Sequence, residues 1–374
     1  MSSVVFVSLV TEWWHNAVET EVVMRRVTPV GLVVAVIVTI VTAACGTQQS
    51  ESRMAASDPI AEPRESGVPF IGTWRLVRIE RYDQTGTPLA DFVHPTIGHG
   101  TRLGYLMYDG ERMAVAVQQE DRALFAGNVP TPEEALISVE NYTAYFGPYS
   151  VNEMAGYVSH QVAGSLNPRG AGGETQPFYE FLANQLVLTP SLQCPDSFLS
   201  NRGCGYGTTG IQLRNVWEKL ERSLAADIDS RFLGFWEIDR IERRASDGHV
   251  IPMPQYEQGY LVYMPSGYMA VQLMQPDREV YDGVRPTAQE AAAAMRSYVS
   301  YFGSFRVNTA EGIVVHRRDG DLIPNRIGDD VSHSFEFRSG QLVLEPPVSI
   351  VEGQEVQTLV FWNRLSAIDT AAFQ

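Results

Sequence analysis

The sequence predicts a mainly β protein: two tandem antiparallel β-barrels, each with one capping α-helix. Three observations point there. The chain repeats itself, most of each repeat alternates with a period of two, and each repeat holds one segment with a helical face.

Phe70-Ile71-Gly72-Thr73-Trp74 returns as Phe232-Leu233-Gly234-Phe235-Trp236, and Arg78-Ile79-Glu80-Arg81 as Arg240-Ile241-Glu242-Arg243. Gly104-Tyr105-Leu106 returns as Gly259-Tyr260-Leu261, and Met113-Ala114-Val115 as Met269-Ala270-Val271. At a constant offset of 156, Pro130-Thr131, Glu134-Ala135, Tyr142, Tyr145-Phe146-Gly147, Val151-Asn152, His160, Pro168 and Gln185-Leu186-Val187-Leu188 all recur in type. Trp217 and Trp362 lie only 145 apart, so the first copy carries 11 extra residues between Pro190 and Trp217. The copies occupy residues 68–222 and 230–366, joined through residues 221–231. Each is long enough to bury a core of its own and to form a separate barrel.

Within a copy, residues 104–109, 112–118, 156–162, 185–189 and 212–220 are short alternating runs separated by Gly, Pro and Asn turns, which read as strands. One segment differs. Thr131-Pro132-Glu133-Glu134 has a capping threonine, a proline at the first helical position and a glutamate at the third, which together make a capping box. Behind it Ala135, Val139, Tyr142 and Phe146 share a helical face, as do Ala291, Met295, Tyr298 and Phe302. The expected helix has about four turns and ends at Gly147, or at Gly303 in the second copy. Many strands with a single helix favour closure into a barrel, which leaves no open edge.

The N-terminal region carries an address. Met24-Arg25-Arg26 precedes an apolar run over residues 30–41, then Thr42-Ala43-Ala44-Cys45-Gly46. A basic start, a short apolar stretch and small residues before a cut site describe a secretory signal over residues 1–44. The run is too short for a comfortable transmembrane helix. Glu12, Glu19 and Glu21 ahead of the arginines do not suit such a signal, which makes Met24 the start. Cys45 directly after the cut resembles the lipidated cysteine of a bacterial lipobox, although Thr42 departs from that pattern. Residues 45–67 are then a lipidated cysteine followed by a polar tether. The expected location is the bacterial cell envelope, membrane-anchored and facing the periplasm or the exterior.

Composition narrows the function. The formal charge of the 374-residue chain is −16, and Lys219 is its single lysine. An acidic chain is a poor nucleic-acid binder, and one lysine leaves little room for Schiff-base or P-loop chemistry. Gly205-Tyr206-Gly207-Thr208-Thr209-Gly210 has the spacing of a dinucleotide loop but no helix follows it, so no cofactor is expected. No zinc-type spacing appears among the seven histidines and three cysteines, so no metal is expected either. In an oxidising compartment Cys194 and Cys204 are expected to close a disulfide within the extra segment of the first copy.

The ordered residues also carry a resemblance. Gly72-Thr73-Trp74 and Gly234-Phe235-Trp236 resemble the opening of a lipocalin barrel. Both copies are similar to the bacterial lipocalin-like domain family. They share its Gly-Tyr-Leu-x-Tyr run (Gly104 to Tyr108, Gly259 to Tyr263), its Thr-x-x-Glu-Ala helix and its Tyr-Phe-Gly. Its Val-x-His (Val158-His160, Val314-His316) and closing Trp-x-Arg/Lys (Trp217-Lys219, Trp362-Arg364) follow. Where that family often has Pro-Asn-Trp, the copies have Pro168-Arg169 and Pro324-Asn325-Arg326. The resemblance implies a ligand-binding fold, and a basic side chain of the last strand lying over the first tryptophan. By that resemblance Lys219 covers Trp74 and Arg364 covers Trp236.

His160 alternates in phase with Val158 and Val162, which turns it inward. It either orients a ligand or serves as acid and base, or is an interior histidine satisfied by its neighbours. His316 is its counterpart. Tyr105, Tyr142 and Tyr145, with Tyr260, Tyr298 and Tyr301, either line a ligand cavity or pack the core. Three function classes follow. The first is a binding module for a small apolar molecule or lipid, favoured in the first barrel beside Tyr105, Tyr142 and His160. The second is an isomerase- or cyclase-type barrel enzyme acting on a buried apolar substrate. The third is a structural or interaction lipoprotein with filled barrels.

Overall fold

The computed structural model describes residues 68–83, 85–89, 101–190, 212–221, 228–283, 285–351 and 353–367. The signal region, Cys45, the tether, Cys194 and Cys204 lie outside the described residues.

The first copy contains β1 (Gly72–Tyr82), β2 (Arg102–Tyr108), β3 (Arg112–Gln119), α1 (Pro132–Glu140), β4 (Tyr142–Asn152), β5 (Tyr157–Gln161), β6 (Gly164–Ser165), β7 (Glu174–Thr175), β8 (Phe178–Leu182), β9 (Gln185–Thr189) and β10 (Gln212–Leu220). The second contains β11 (Gly234–Ala245), β12 (Val250–Ile251), β13 (Gln258–Tyr263), β14 (Tyr268–Met274), α2 (Ala288–Arg296), β15 (Tyr298–Asn308), β16 (Ile313–Asp321), β17 (Asp330–Arg338), β18 (Gln341–Glu345), β19 (Ser349–Val351) and β20 (Gln354–Ala367).

Each copy closes on itself in an up-and-down antiparallel order. In the first the ring runs β1-β2-β3-β4-β5-β8-β9-β10 and back to β1. In the second it runs β11-β13-β14-β15-β16-β17-β18-β20 and back to β11. The rings differ at one joint. The five residue pairs between β16 and β17 reduce to the single pair Tyr157↔Phe178 between β5 and β8. Pro177 stands there, at the position of His333 in the second copy. A proline has no N–H for the ladder, so the strand is split into β7 and β8.

The helices are shorter than the sequence suggests. Both capping boxes form: Glu134 N–H donates to Thr131 Oγ1 at 3.2 Å, while Thr131 N–H donates to Glu134 Oε2 at 2.8 Å. Thr287 and Glu290 repeat this at 3.3 and 2.7 Å. Yet α1 and α2 are nine residues each and end at Asn141 and Ser297, whose side chains donate to the carbonyls of Ile137 and Ala293. Tyr142 and Phe146 lie on β4, not on the helix. A spacing of four fits both one helical turn and two strand repeats, and the run Tyr142-Thr143-Ala144-Tyr145-Phe146 takes the strand. Gly147 and Gly303 therefore end no helix. Each sits mid-strand where a Cβ would lie 1.9 Å from a facing carbonyl, that of Gln161 or Arg317.

The two barrels share a core. Tyr105, Met107, Ala116, Tyr142 and Phe146 of the first pack with Phe235, Tyr260, Ala270, Tyr298 and Phe302 of the second. Ala135 and Val139 of α1 and Ala291 and Met295 of α2 join the same cluster. Each large side chain buried in this seam contributes roughly 1.5–3 kcal/mol. The seam is self-complementary, as between symmetric subunits. Arg122 donates to the carbonyls of Asp321 (2.6 Å) and Leu322 (2.8 Å). Its counterpart Arg278 donates to those of Ser165 (2.5 Å) and Leu166 (2.6 Å).

Candidate ligand sites in the barrel interiors

Strand alternation sorts the aromatic residues between seam and interior. Leu106, Tyr108, Val115, Tyr145, Tyr149 and Val158 face into the first barrel, with Phe70, Trp74 and Trp217. Tyr105 and Tyr142 face out of it. Tyr105 donates to Asp319 Oδ2 of the second barrel at 3.2 Å, and the Tyr142 hydroxyl lies 3.0 Å from Ser300 Oγ. Tyr260 and Tyr298 occupy the seam likewise, and Tyr298 donates to Gln272 Oε1 at 2.6 Å. Of the eight residues predicted to meet a ligand, the interiors bring together Tyr145 and His160 in one barrel and Tyr301 and His316 in the other. The remaining four tyrosines line the seam.

His160 is fully buried between two phenols. The Tyr108 hydroxyl lies 2.6 Å from Nε2 and the Tyr145 hydroxyl 3.1 Å from Nδ1. Burial pushes its pKa down to about 3, so the ring is neutral. One ring nitrogen then donates and the other accepts, and the two hydroxyls satisfy both. Burial raises both phenols above their ordinary value. The second barrel repeats the set: Tyr263 and Tyr301 lie 2.6 and 3.0 Å from the two nitrogens of His316. Tyr108 and Tyr263 were not among the predicted site residues. Their signal was their inward phase with the histidines.

The closed ends repeat as well. Trp74 and Trp236 each donate their indole N–H to a carbonyl, of Phe70 and Phe232 respectively, at 2.8 Å. Lys219 Nζ lies 5.4 Å from the Trp74 ring centre, and the Arg364 guanidinium 4.2 Å from that of Trp236, both within cation–π range. Phe232 packs edge-on against Tyr263, Phe335 and Phe337, filling the end of the second barrel with rings.

Above these sets the barrels diverge. In the second, His333 lies against His316 with ring centres 4.6 Å apart and planes tilted by 45°. It is buried with no hydrogen-bond partner at either nitrogen among the described residues, and desolvation pushes its pKa down to about 3. The Arg318 guanidinium lies 4.8 Å from the Tyr301 ring centre, its side chain 11% exposed. Its Nε sits 3.4 Å from Asp321 Oδ2, an ion pair whose alignment makes no hydrogen bond. Arg326, after β16, is pulled below its ordinary pKa by burial, against the attraction of Asp321. At the offset of 156 the first barrel has Pro177, Val162, Ser165 and Gly170 for His333, Arg318, Asp321 and Arg326. His333, Arg318 and Arg326 were missed as site residues. The signal lay in the places where two otherwise matching copies differ in charge.

A shallow hollow of about 410 Å³ on the first copy is lined by Ser150, Asn152, Glu153, Tyr157, Ser159 and Glu174. It lies on the outer wall, and none of the predicted site residues borders it. Among the described residues, no group of histidine, cysteine and acidic side chains is placed to hold a metal ion.

A duplicated, closed, eight-stranded up-and-down barrel with an inward Tyr-His-Tyr set defines the class of the molecule. The chain belongs to the lipocalin-like domain family, whose model matches residues 71–205 and 233–365. No curated protein matches the sequence. Among solved structures, a protein of unknown function of the DUF3598 family from Nostoc punctiforme is 11% identical. That match covers 80% of this chain and 97% of that one, with a TM-score of 0.21. The transferrin binding protein B of Haemophilus parasuis is 7% identical, over 79% of this chain and 76% of that one, with a TM-score of 0.19. Overlays this loose bear on neither ligand nor partner.

Proposed function

We propose that the protein binds a small molecule within its second barrel, with the first barrel as a filled partner that shares its core. On this reading it is a cell-envelope lipoprotein held to the membrane through a lipid on Cys45. One observation carries the binding claim: His333 is buried in the second barrel with both ring nitrogens unpartnered among the described residues. Native structures rarely leave such groups unmet, because each costs about 1–3 kcal/mol. Both barrels satisfy their inner histidine and both leave one indole N–H unpartnered among the described residues, so His333, whose place in the first barrel is taken by Pro177, is the difference between them. The sequence favoured the first barrel; the side-chain geometry favours the second. Acid–base catalysis at His160 finds no support, because a ring with a pKa near 3 and both nitrogens engaged is a poor base at neutral pH.

Native mass spectrometry of the full chain released from detergent micelles tests the binding claim. A co-purifying small-molecule mass, absent from His333→Phe protein, is the expected result. An unliganded chain that also takes up no added apolar or amphiphilic compound would leave the structural reading instead. Incorporation of labelled fatty acid, lost in Cys45→Ala, tests the anchor.

A further inference from the structure

The duplication shows what the hollow on the outer wall of the first copy is suited to hold. That hollow, of about 410 Å³, is bordered by Ser150, Glu153, Tyr157, Ser159 and Glu174, and none of its lining residues is basic. The strand registers of the two copies match there. Ser150 pairs with Ser159 as Arg306 pairs with Val315, and Gln161 pairs with Glu174 as Arg317 pairs with Asp330. In the second copy Asp330 is held by two guanidiniums, that of Arg306 at 3.0 Å and that of Arg317 at 3.2 Å. In the first, Ser150 and Gln161 stand in place of both arginines, and Glu153 stands in place of Thr309. The same four places thus hold two acids and no base in one copy, against one acid and two bases in the other. Ser159 Oγ donates to Glu174 Oε1, while Glu174 Oε2 and the Glu153 carboxylate make no hydrogen bond or ion pair among the described residues. Ring surface is added in the first copy alone. Tyr157 pairs across β5 and β8 with Phe178, which is 49% exposed, where the second copy pairs Ile313 with Ser334. Carboxylates beside aromatic rings suit a flat organic cation. The net charge of −16 draws cations to the whole surface, and the missing arginines single out this place on it.

We propose that this hollow binds a guanidinium cation, on a small molecule or on an arginine side chain of a partner, in the place that Arg306 fills in the second copy. Glu174 receives it as Asp330 receives Arg306, with Glu153 as the second acid and Tyr157 as the ring wall. The site is separate from the interior of the second barrel and does not depend on what binds there.

The test is a saturation-transfer NMR titration of the full chain in nonionic micelles with N-butylguanidinium and N-butylurea, each corrected against protein-free micelles. The two probes share a shape and differ in charge. The guanidinium is expected to bind roughly fivefold more tightly, the upper end of what one exposed ion pair gives. Glu174→Gln is expected to remove that preference. Ser150→Arg, which reproduces the pair of Arg306 and Asp330 in the first copy, is expected to abolish binding, and an unchanged or higher thermal midpoint separates this from a folding defect. A capped Gly-Arg-Gly peptide that binds more tightly than N-butylguanidinium assigns the cation to a polypeptide partner. Equal or weaker binding of the peptide assigns it to a small molecule, and both results sustain the proposal. Equal binding of the urea, no binding of the guanidinium, or undiminished binding to Ser150→Arg protein would overturn it.

Discussion

Arg122 donates to the carbonyl of Leu322 across the seam at 2.8 Å, and the molecule makes the same bond a second time, from Arg278 to Leu166 at 2.6 Å. Each arginine is a repeat-equivalent of the other, and each bridges to the opposite barrel. The two barrels are therefore expected to unfold as one cooperative unit. Arg122→Ala removes two hydrogen bonds from a charged donor, while Ser138 Oγ still donates to the Leu322 carbonyl at 2.6 Å, and should cost about 1.5–3 kcal/mol. Guanidinium denaturation followed by tryptophan fluorescence reads this directly. Two separated transitions in the unmodified protein would show that the seam does not couple the barrels.

Acid sensitivity should come from the buried histidines. His160 and His333 have pKa values held near 3 by burial, and His316 is driven down in the same direction. A folded-state value below the unfolded one, about 6.5 for histidine, gives stability that is full above 6.5 and is lost as pH falls. Each ring loses about 1.4 kcal/mol per unit of pH below that point, so the window from about 6.5 to about 5 reports mainly on them. The denaturation midpoint is expected to fall steadily across it, and less steeply in His333→Phe. A midpoint that is flat or rises on acidification would contradict neutral buried rings.

Gly147 is fixed by a carbonyl rather than by a turn. A Cβ there would lie 1.9 Å from Gln161 O, and no flexible side chain stands in between. Gly147→Ala is expected to cost about 3 kcal/mol or more, in the range of severe core defects. Gly156→Ala, where a Cβ meets nothing within 4 Å, would bear only the backbone strain of φ +72°. It should cost about 1 kcal/mol. A thermal scan finding the two variants equally stable would count against the strand placement of Gly147.

The closed ends should respond unequally. Lys219 lies over Trp74 at 5.4 Å, whereas Arg364 lies over Trp236 at 4.2 Å and also donates to Leu233 O at 3.0 Å. Lys219→Ala is expected to cost about 0.5–1 kcal/mol and Arg364→Ala about twice that. Chemical denaturation of the two variants compares them, and a larger loss at Lys219 would reverse the assignment.

Much of this architecture is legible in the sequence. The duplication, the capping boxes at Thr131 and Thr287 and the inward histidines follow from type and spacing alone. The helix ends were not legible, because Tyr142 and Phe146 satisfy both periods and the deciding contacts are across the seam, with Tyr260 and Ser300. The seam itself was hidden for a related reason. A strand buried on one side by its own barrel and on the other by its twin reads as an ordinary buried run. The site in the second barrel was half-visible. Arg326 departs from the family pattern in the sequence itself, but placing it near Arg318 and His333 requires the register shift at Asp319 of β16, between the pairs Phe302↔Gly320 and Gly303↔Arg318, which brings Asp321 opposite Tyr301.

The central claim is that a ligand sits in the second barrel and not in the first. A crystal structure of the full chain, purified with whatever small molecule it retains, tests it most directly. Density for a small molecule within hydrogen-bond distance of His333, with none beside His160, is the predicted result. Density beside His160 with the second barrel unchanged would contradict it.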